Sequence, residues 1–397
     1  MSLKIREYSL PLIVGAVIAL VWANISPGTY SAILHHVFFS LAGQEITVHF
    51  LVNDIFMCFF FAIAGIEIVN SLAPGGSLYP LKKATAPLLA TLGGILGPIA
   101  VFFILNGIFG KSAYTPGWGI CTATDIALSW MLARIVFGGN HPAVSFLLLL
   151  AVADDAAGLA IIAIFYPEIG AEPNYLWLLL VAAAIGISFA FKKFRVDRWW
   201  LYLLVPGLMA WVGMHNASLH PALSFVFVVP FLYRNKNHPD YLEYDEGWAF
   251  HPEAAGKPRP QWEPLLRCEK ALAPIVDYGL IFFGLVNAGV EFSRVETLTW
   301  IVVISLVVGK TLGVTLLSSF ARLIRLPLPE GMGFRETVCA GLVAGMGLTV
   351  ALFVADSAFA DPGLLSASKM GALFSVVVFL LAPIAGKALR IIKVSKK

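Results

Sequence analysis

Residues 147–166 read LLLLAVADDAAGLAIIAIFY, with Asp154 and Asp155 side by side in the middle of an otherwise uncharged run. A run of this length and character is what a bilayer-spanning helix needs, about 20 residues. A charge at the bilayer centre costs about 2.5–3.5 kcal/mol on insertion scales. Two adjacent carboxylates at such a depth are the mark of an ion path, because buried charges in membranes face one another or a water-filled cavity.

The rest of the chain carries the same signature. It has 397 residues, of which 59% are hydrophobic and only 13% charged, and its mean hydropathy is +0.83. A soluble domain carries about 25% charged residues. A soluble protein with a very large core would still need charged outer helix faces, and these are missing. The composition therefore predicts a polytopic, all-α membrane protein. The first apolar run, 9–23, is followed by TYSAILHHVFF rather than a small-residue cleavage site, so no cleavable signal peptide is expected. Cys58, Cys121, Cys268 and Cys339 show no paired or metal-ligand spacing and read as small buried hydrophobes. No phosphate-cradling GxxxxGK[ST] motif occurs.

Apolar runs bounded by charges, Pro or Gly predict about twelve transmembrane helices, at 9–26, 49–71, 84–107, 116–134, 142–166, 174–191, 198–213, 217–233, 268–289, 297–321, 336–359 and 367–391. With the N-terminus placed inside, nearly all of the 27 lysines and arginines fall on cytoplasmic segments. Only Lys111, Arg294 and Lys369 fall outside, and Lys310 lies within an apolar run. That bias sets both termini in the cytoplasm, and it makes the net charge of +3 a topology signal rather than a sign of nucleic-acid binding. VFFSL and EITVH flank the turn AGQ and predict a small extracellular β-hairpin over 37–49. The polar, Pro-rich stretch 234–267 reads as a long cytoplasmic loop.

Asp54, Glu67, Asp125, Asp154, Asp155, Asp277 and Lys310 all fall in or close to spans, and Asp356 lies near the outer end of its helix. Two neighbouring aspartates in a low-dielectric site cannot both stay ionised cheaply, and they titrate as a coupled group. Their oxygens are also hard ligands suited to a small cation. One site can thus hold protons or a metal ion but not both well, which is the physical basis of ion-for-proton exchange. A nearby lysine adds a partner that can neutralise one aspartate when no cation is bound. CTATDIAL at 121–128 places Thr122, Thr124 and Asp125 in mid-span, and GLVAGMGLTVAL at 341–352 sets Gly341, Gly345 and Gly347 before Thr349. Interrupted helices at corresponding places in two halves point to a transporter binding site at the midplane. The opposed half-helix dipoles would be offset by Asp125 and Lys310. The glycines alone are also compatible with close helix packing.

These residues together resemble the NhaA-type sodium/proton antiporter family. The resemblance rests on NDIFMCFFFAIAGIEI at 53–68, TATDIA at 122–127, AVADDAAGLAIIAIFY at 151–166, His220 in ASLHPAL, FFGLVNAGV at 282–290, VGKTLG at 308–313 and GMGLTVALFVADSAF at 345–359. It implies inverted-topology repeats with two crossed, interrupted helices, the fourth and the eleventh. It implies a core bundle at 84–166 and 297–391, and a panel at 9–71 and 217–289 mediating a homodimer. It assigns Asp155 as the principal sodium ligand and Asp154 as its partner, bridged to Lys310 in the ion-free state. Thr124 and Asp125 would stand beside the ion, so that Asp154, Asp155 and Thr124 form the expected cation-binding set. Gly345 and Gly347 mark the second broken helix, and Asp54, Glu67, His220 and Glu269 are candidate pH-response residues.

The chain also departs from members with strong pH regulation. Val69, Asn70 and Ser71 replace a charged cluster after Glu67, Lys270 and Ala273 stand where histidines occur, and Asp277 is an additional acid expected to be buried. The expected activity is exchange of cytoplasmic Na⁺ or Li⁺ for external H⁺, in a bacterial inner membrane, surrounded by lipid. No enzyme chemistry, cofactor or nucleic acid is expected. A sodium-coupled anion symporter on the same fold is the alternative.

Overall fold

Lipid offers a backbone amide no partner, so a chain this apolar must close its hydrogen bonds within helices. The computed structural model is mostly helical. It describes residues 10–41, 44–73, 78, 81–167, 174–232, 264–326, 328–329 and 331–393. Among the described residues six helices are long and apolar enough to cross a bilayer: Val48–Leu72, Ala84–Phe109, Pro142–Phe165, Tyr175–Lys193, Thr297–Leu323 and Pro362–Ala388. Two further helix pairs are bent at short breaks, Ser112–Thr122 with Ile126–Phe137 by 60° and Phe334–Ala344 with Thr349–Ala358 by 52°. Counting each pair as one span gives eight. The other four expected runs are helical but shorter, irregular or more charged. Leu10–Ile25 and Pro221–Phe231 are short, residues 199–216 contain a π-helical turn with Pro206, and Pro264–Asn287 carries Arg267, Glu269, Lys270 and Asp277. Large apolar side chains such as Val17, Ile104, Ile164, Leu179, Leu316 and Leu380 are exposed, the reverse of a soluble surface.

The hairpin is present, with strands Phe39–Leu41 and Gln44–Ile46 antiparallel in the register Phe39 to Ile46. Its second strand takes in Gln44, a residue of the expected turn AGQ. Thr47 then accepts the Phe50 amide at 3.1 Å and starts the next helix, so the strand stops before 49. Most of the expected 234–267 loop lies outside the described residues, and its last four positions belong to the helix Pro264–Asn287. All four cysteines are buried and none is disulfide-bonded.

The chain divides into two compact units. One comprises Met1–Val52, Thr85–Ile169 and Asp277–Lys397, and holds both bent helix pairs. The other comprises Asn53–Ala84 and Gly170–Val276. Its core is built on Cys58, Ala62, Ile66, Tyr202, Phe225 and Cys268.

Helix ends follow local chemistry. Gly138 adopts φ 86°, where a side chain would be strained, and closes Ile126–Phe137 by donating to the Arg134 carbonyl. Pro142 then opens Pro142–Phe165 at a position where its missing amide costs nothing. His141 caps that helix through Nδ1, which accepts the Ala143 amide at 3.1 Å. Burial holds the His141 imidazole below its ordinary value of 6.5, against a smaller opposing pull from Glu336. The unfolded chain therefore takes up this proton more readily than the folded one. The cap's contribution, about 1 kcal/mol, is complete above about pH 6.5 and is lost as pH falls below it. Thermal unfolding in detergent should show the wild type losing stability on acidification from about pH 7.5 to about pH 5.5, and His141→Asn, whose cap does not titrate, losing less. A wild-type-to-variant difference that stays constant with pH would contradict this assignment.

Candidate ion-binding site

The two bent helix pairs meet at their breaks. The Asp125 amide donates to the Met346 carbonyl at 2.9 Å. A side chain at Gly347 would put its Cβ 2.8 Å from the Ala123 carbonyl oxygen, and one at Gly345 would put its Cβ 3.0 Å from that of Leu306. Gly347 thus answers to the backbone of the other bent pair and Gly345 to the helix Thr297–Leu323, at the two positions that the sequence singles out. Ser375, fully buried, holds the second break by donating to the Gly347 carbonyl at 3.0 Å.

Asp125 is the junction of the half-helices. Its Oδ1 accepts the Leu128 amide at 3.0 Å and caps Ile126–Phe137. Its Oδ2 accepts the Thr349 hydroxyl at 2.9 Å, at the start of Thr349–Ala358. Two helix N-termini therefore converge on one carboxylate, which their partial positive charge stabilises.

Lys310 follows directly on a π-helical turn, Ser305–Gly309, within Thr297–Leu323. Such widened turns re-aim the residues that follow them. Its helix packs closely on Ala84–Phe109, since a Cβ at Gly97 would lie 2.8 Å from the Gly313 Cα. The fully buried Lys310 ammonium pairs with Asp154 Oδ2 at 2.7 Å and donates to the Thr124 hydroxyl. Thr124 Oγ1 lies 2.8 Å from the same Asp154 oxygen and 3.2 Å from the Ala344 carbonyl. Asp154 Oδ1 is buried and has no hydrogen-bond partner among the described residues. Asp155, next on the helix, is buried as well.

Thr124, Asp154 and Lys310 are thus brought together, while Asp125 serves the crossed half-helices. Among the described residues no cluster of three or more His, Cys, Asp or Glu side chains is set for a metal ion. In the other unit, His220 Nδ1 lies 3.9 Å from Asp54 Oδ1, and Glu67 is within electrostatic reach of Glu269. Asn70, at a position where a charge was expected, donates to Glu269 at 3.4 Å. Asp277 is half-buried rather than buried, because its helix is amphipathic there.

One cluster escaped the sequence reading. Lys369, which the charge bias assigns to an outer segment, is buried and pairs with Asp356 at 3.0 Å, and Asp356 also pairs with His49 at 2.8 Å. Lys369 further donates to Asn287 at 3.3 Å. No local pattern could have revealed a partnership among positions so far apart.

A sequence profile of the family described as Na+/H+ antiporter 1 matches residues 5–387. The chain is 51% identical over 391 residues to the Na(+)/H(+) antiporter NhaA of Desulfitobacterium hafniense (strain DSM 10664 / DCB-2), covering 98% of this chain and 96% of that one. It is 49% identical over 387 residues to the Na(+)/H(+) antiporter NhaA of Geobacter metallireducens, covering 98% and 97%. Its fold is similar to that of the sodium proton antiporter MjNhaP1 of Methanocaldococcus jannaschii, with a TM-score of 0.51 at 15% identity over 96% of this chain and 92% of that one. With a profile match over nearly its whole length and relatives near half identity, the chain belongs to the NhaA family of Na⁺/H⁺ antiporters.

Proposed function

We propose that this antiporter exchanges cytoplasmic Na⁺ or Li⁺ for external H⁺ by alternating access, the cation and the protons competing for Asp154 and Asp155. The observation that carries the reading is the buried Lys310–Asp154–Thr124 group beside Asp155, set where two broken helices meet. In the inward-facing state the cation binds the aspartates and displaces their protons. A cation near the carboxylates weakens the hold of Asp154 on Lys310. On the outer side protons displace the cation and Lys310 pairs with Asp154 again. If more than one proton moves per cation, each excess charge is driven by about 2.3 kcal/mol per 100 mV of membrane potential.

The topology that goes with this reading has twelve helices, both termini cytoplasmic, in a bacterial inner membrane. Helices 4 and 11 would belong to inverted repeats forming the ion-carrying core, 84–166 and 297–391, with a panel at 9–71 and 217–289 in a homodimer. The lysine and arginine bias supports the orientation. Family membership does not favour the sodium-coupled anion symporter.

Asp54, Glu67, His220 and Glu269 would shape the pH response. With Val69, Asn70 and Ser71 uncharged and Lys270 and Ala273 in place of histidines, that response should be flatter or shifted. Proteoliposomes with a proton-sensitive dye, scanned over cation and pH, test the whole reading. Proton efflux on adding Na⁺ or Li⁺, with no near-silent acidic range followed by steep alkaline activation, is expected. Absence of cation-dependent proton movement would sink the exchange reading, and steep activation would sink the account of the altered pH response.

A further inference from the structure

Three glycines of the helix Ala84–Phe109 face neighbouring chain, and two of them are explained by packing. A Cβ at Gly93 would lie 2.6 Å from the Gly313 carbonyl carbon, and one at Gly97 would lie 2.8 Å from the Gly313 Cα. Backbone cannot give way there. Gly94, which is buried, is different. A Cβ at Gly94 would lie 3.4 Å from Val314 Cγ2, 3.5 Å from Asp154 Oδ1 and 3.6 Å from Asp154 Oδ2. These are ordinary contacts, so an alanine fits. Glycine weakens a helix interior relative to alanine, and here no close approach of backbone requires it.

What the missing side chain leaves open is the space against Asp154. Oδ2 of that carboxylate is taken by Lys310 and Thr124. Oδ1 is the buried oxygen without a hydrogen-bond partner among the described residues, and it is the nearer of the two to the position a Gly94 methyl would fill. Resting on the proposed exchange at Asp154 and Asp155, we infer that Gly94 is a specificity-determining residue of the cation site: the absence of a side chain keeps room beside Asp154 Oδ1 for the larger of the exchanged cations and its remaining ligands.

The chemistry gives a direction. Selection between hard cations at oxygen ligands depends on cavity size, ligand number and rigidity. A methyl group against the carboxylate removes volume and offers no ligand. Na⁺ is larger than Li⁺ and gathers more oxygens around it, so it loses more. Val314, whose Cγ2 would lie 3.4 Å from the same added Cβ, borders that space, and shortening its side chain returns volume.

The test uses full-length protein in proteoliposomes, with Na⁺ and Li⁺ titrated separately against dye-reported proton flux. Gly94→Ala is expected to raise the half-saturating Na⁺ concentration about fivefold and that of Li⁺ by less than about twofold. Gly94→Ala/Val314→Ala should bring the Na⁺ value back toward wild type, and it carries the test if the single variant does not fold. Equal changes for the two cations, an unchanged Na⁺/Li⁺ ratio, or a double variant with no recovery of Na⁺ would each overturn the inference. Failure of the wild type to move protons with either cation would instead strike at the exchange reading itself.

Discussion

Asp155→Asn is expected to abolish cation-dependent proton flux in proteoliposomes while leaving a folded protein. The substitution keeps the shape of a buried side chain and removes its charge. An amide neither releases a proton at ordinary pH nor offers a cation a negative oxygen. Both halves of the exchange are thus lost in one step. A fall of roughly a hundredfold or more corresponds to about 2.7 kcal/mol. Asp154→Asn differs in kind, because Asp154 is the partner of Lys310. It should retain some exchange with a changed charge moved per cycle, read as an altered response to an imposed membrane potential. Wild-type flux in Asp155→Asn would refute the site assignment, whatever Asp154→Asn does.

The second large effect falls on stability. Lys310→Met removes the ammonium that faces Asp154 at 2.7 Å with both side chains fully buried. Taking one partner from a buried ion pair typically costs about 3–5 kcal/mol, because the remaining charge is uncompensated. Replacing both partners by neutral groups of similar volume is often close to neutral. Thermal unfolding in detergent should therefore show a large drop for Lys310→Met and recovery of most of it in Asp154→Asn/Lys310→Met. An unaltered unfolding temperature in the single variant would mean that the pair does not hold the bundle as its geometry implies. The double variant also tests the division of roles, since it keeps Asp155 and should keep a cation-binding acid.

Several features were legible before any coordinates, and each was local. The apolar run around Asp154 and Asp155 is long, and its hydropathy alone requires a helix in lipid. The polar and glycine interruptions at 121–125 and 345–347 sit where the structure bends its helices. The strand formers at 37–41 and 45–49 predict the hairpin, which the structure builds from Phe39–Leu41 and Gln44–Ile46, taking in Gln44 from the expected turn and stopping early because Thr47 caps a helix. Four of the twelve expected spans do not stand out as long apolar helices, because helices such as Pro264–Asn287 mix charges into an apolar stripe.

Sequence by itself determined that this chain crosses a membrane in helices, that two of those helices are interrupted, and that carboxylates and a lysine lie at membrane depth. It could do so because hydropathy, glycine content and charge are properties of neighbouring residues. Only the tertiary structure decided which groups meet. It set Lys310 on Asp154 through a π-helical turn and close glycine packing, gave Asp125 to the two half-helices, joined Lys369 to Asp356 and His49, and placed the bare face of Gly94 over Asp154. The reason is physical: apart from the local cap that Asp125 gives Leu128, these partnerships join different helices, and their strength comes from burial and distance, neither of which exists until the helices pack.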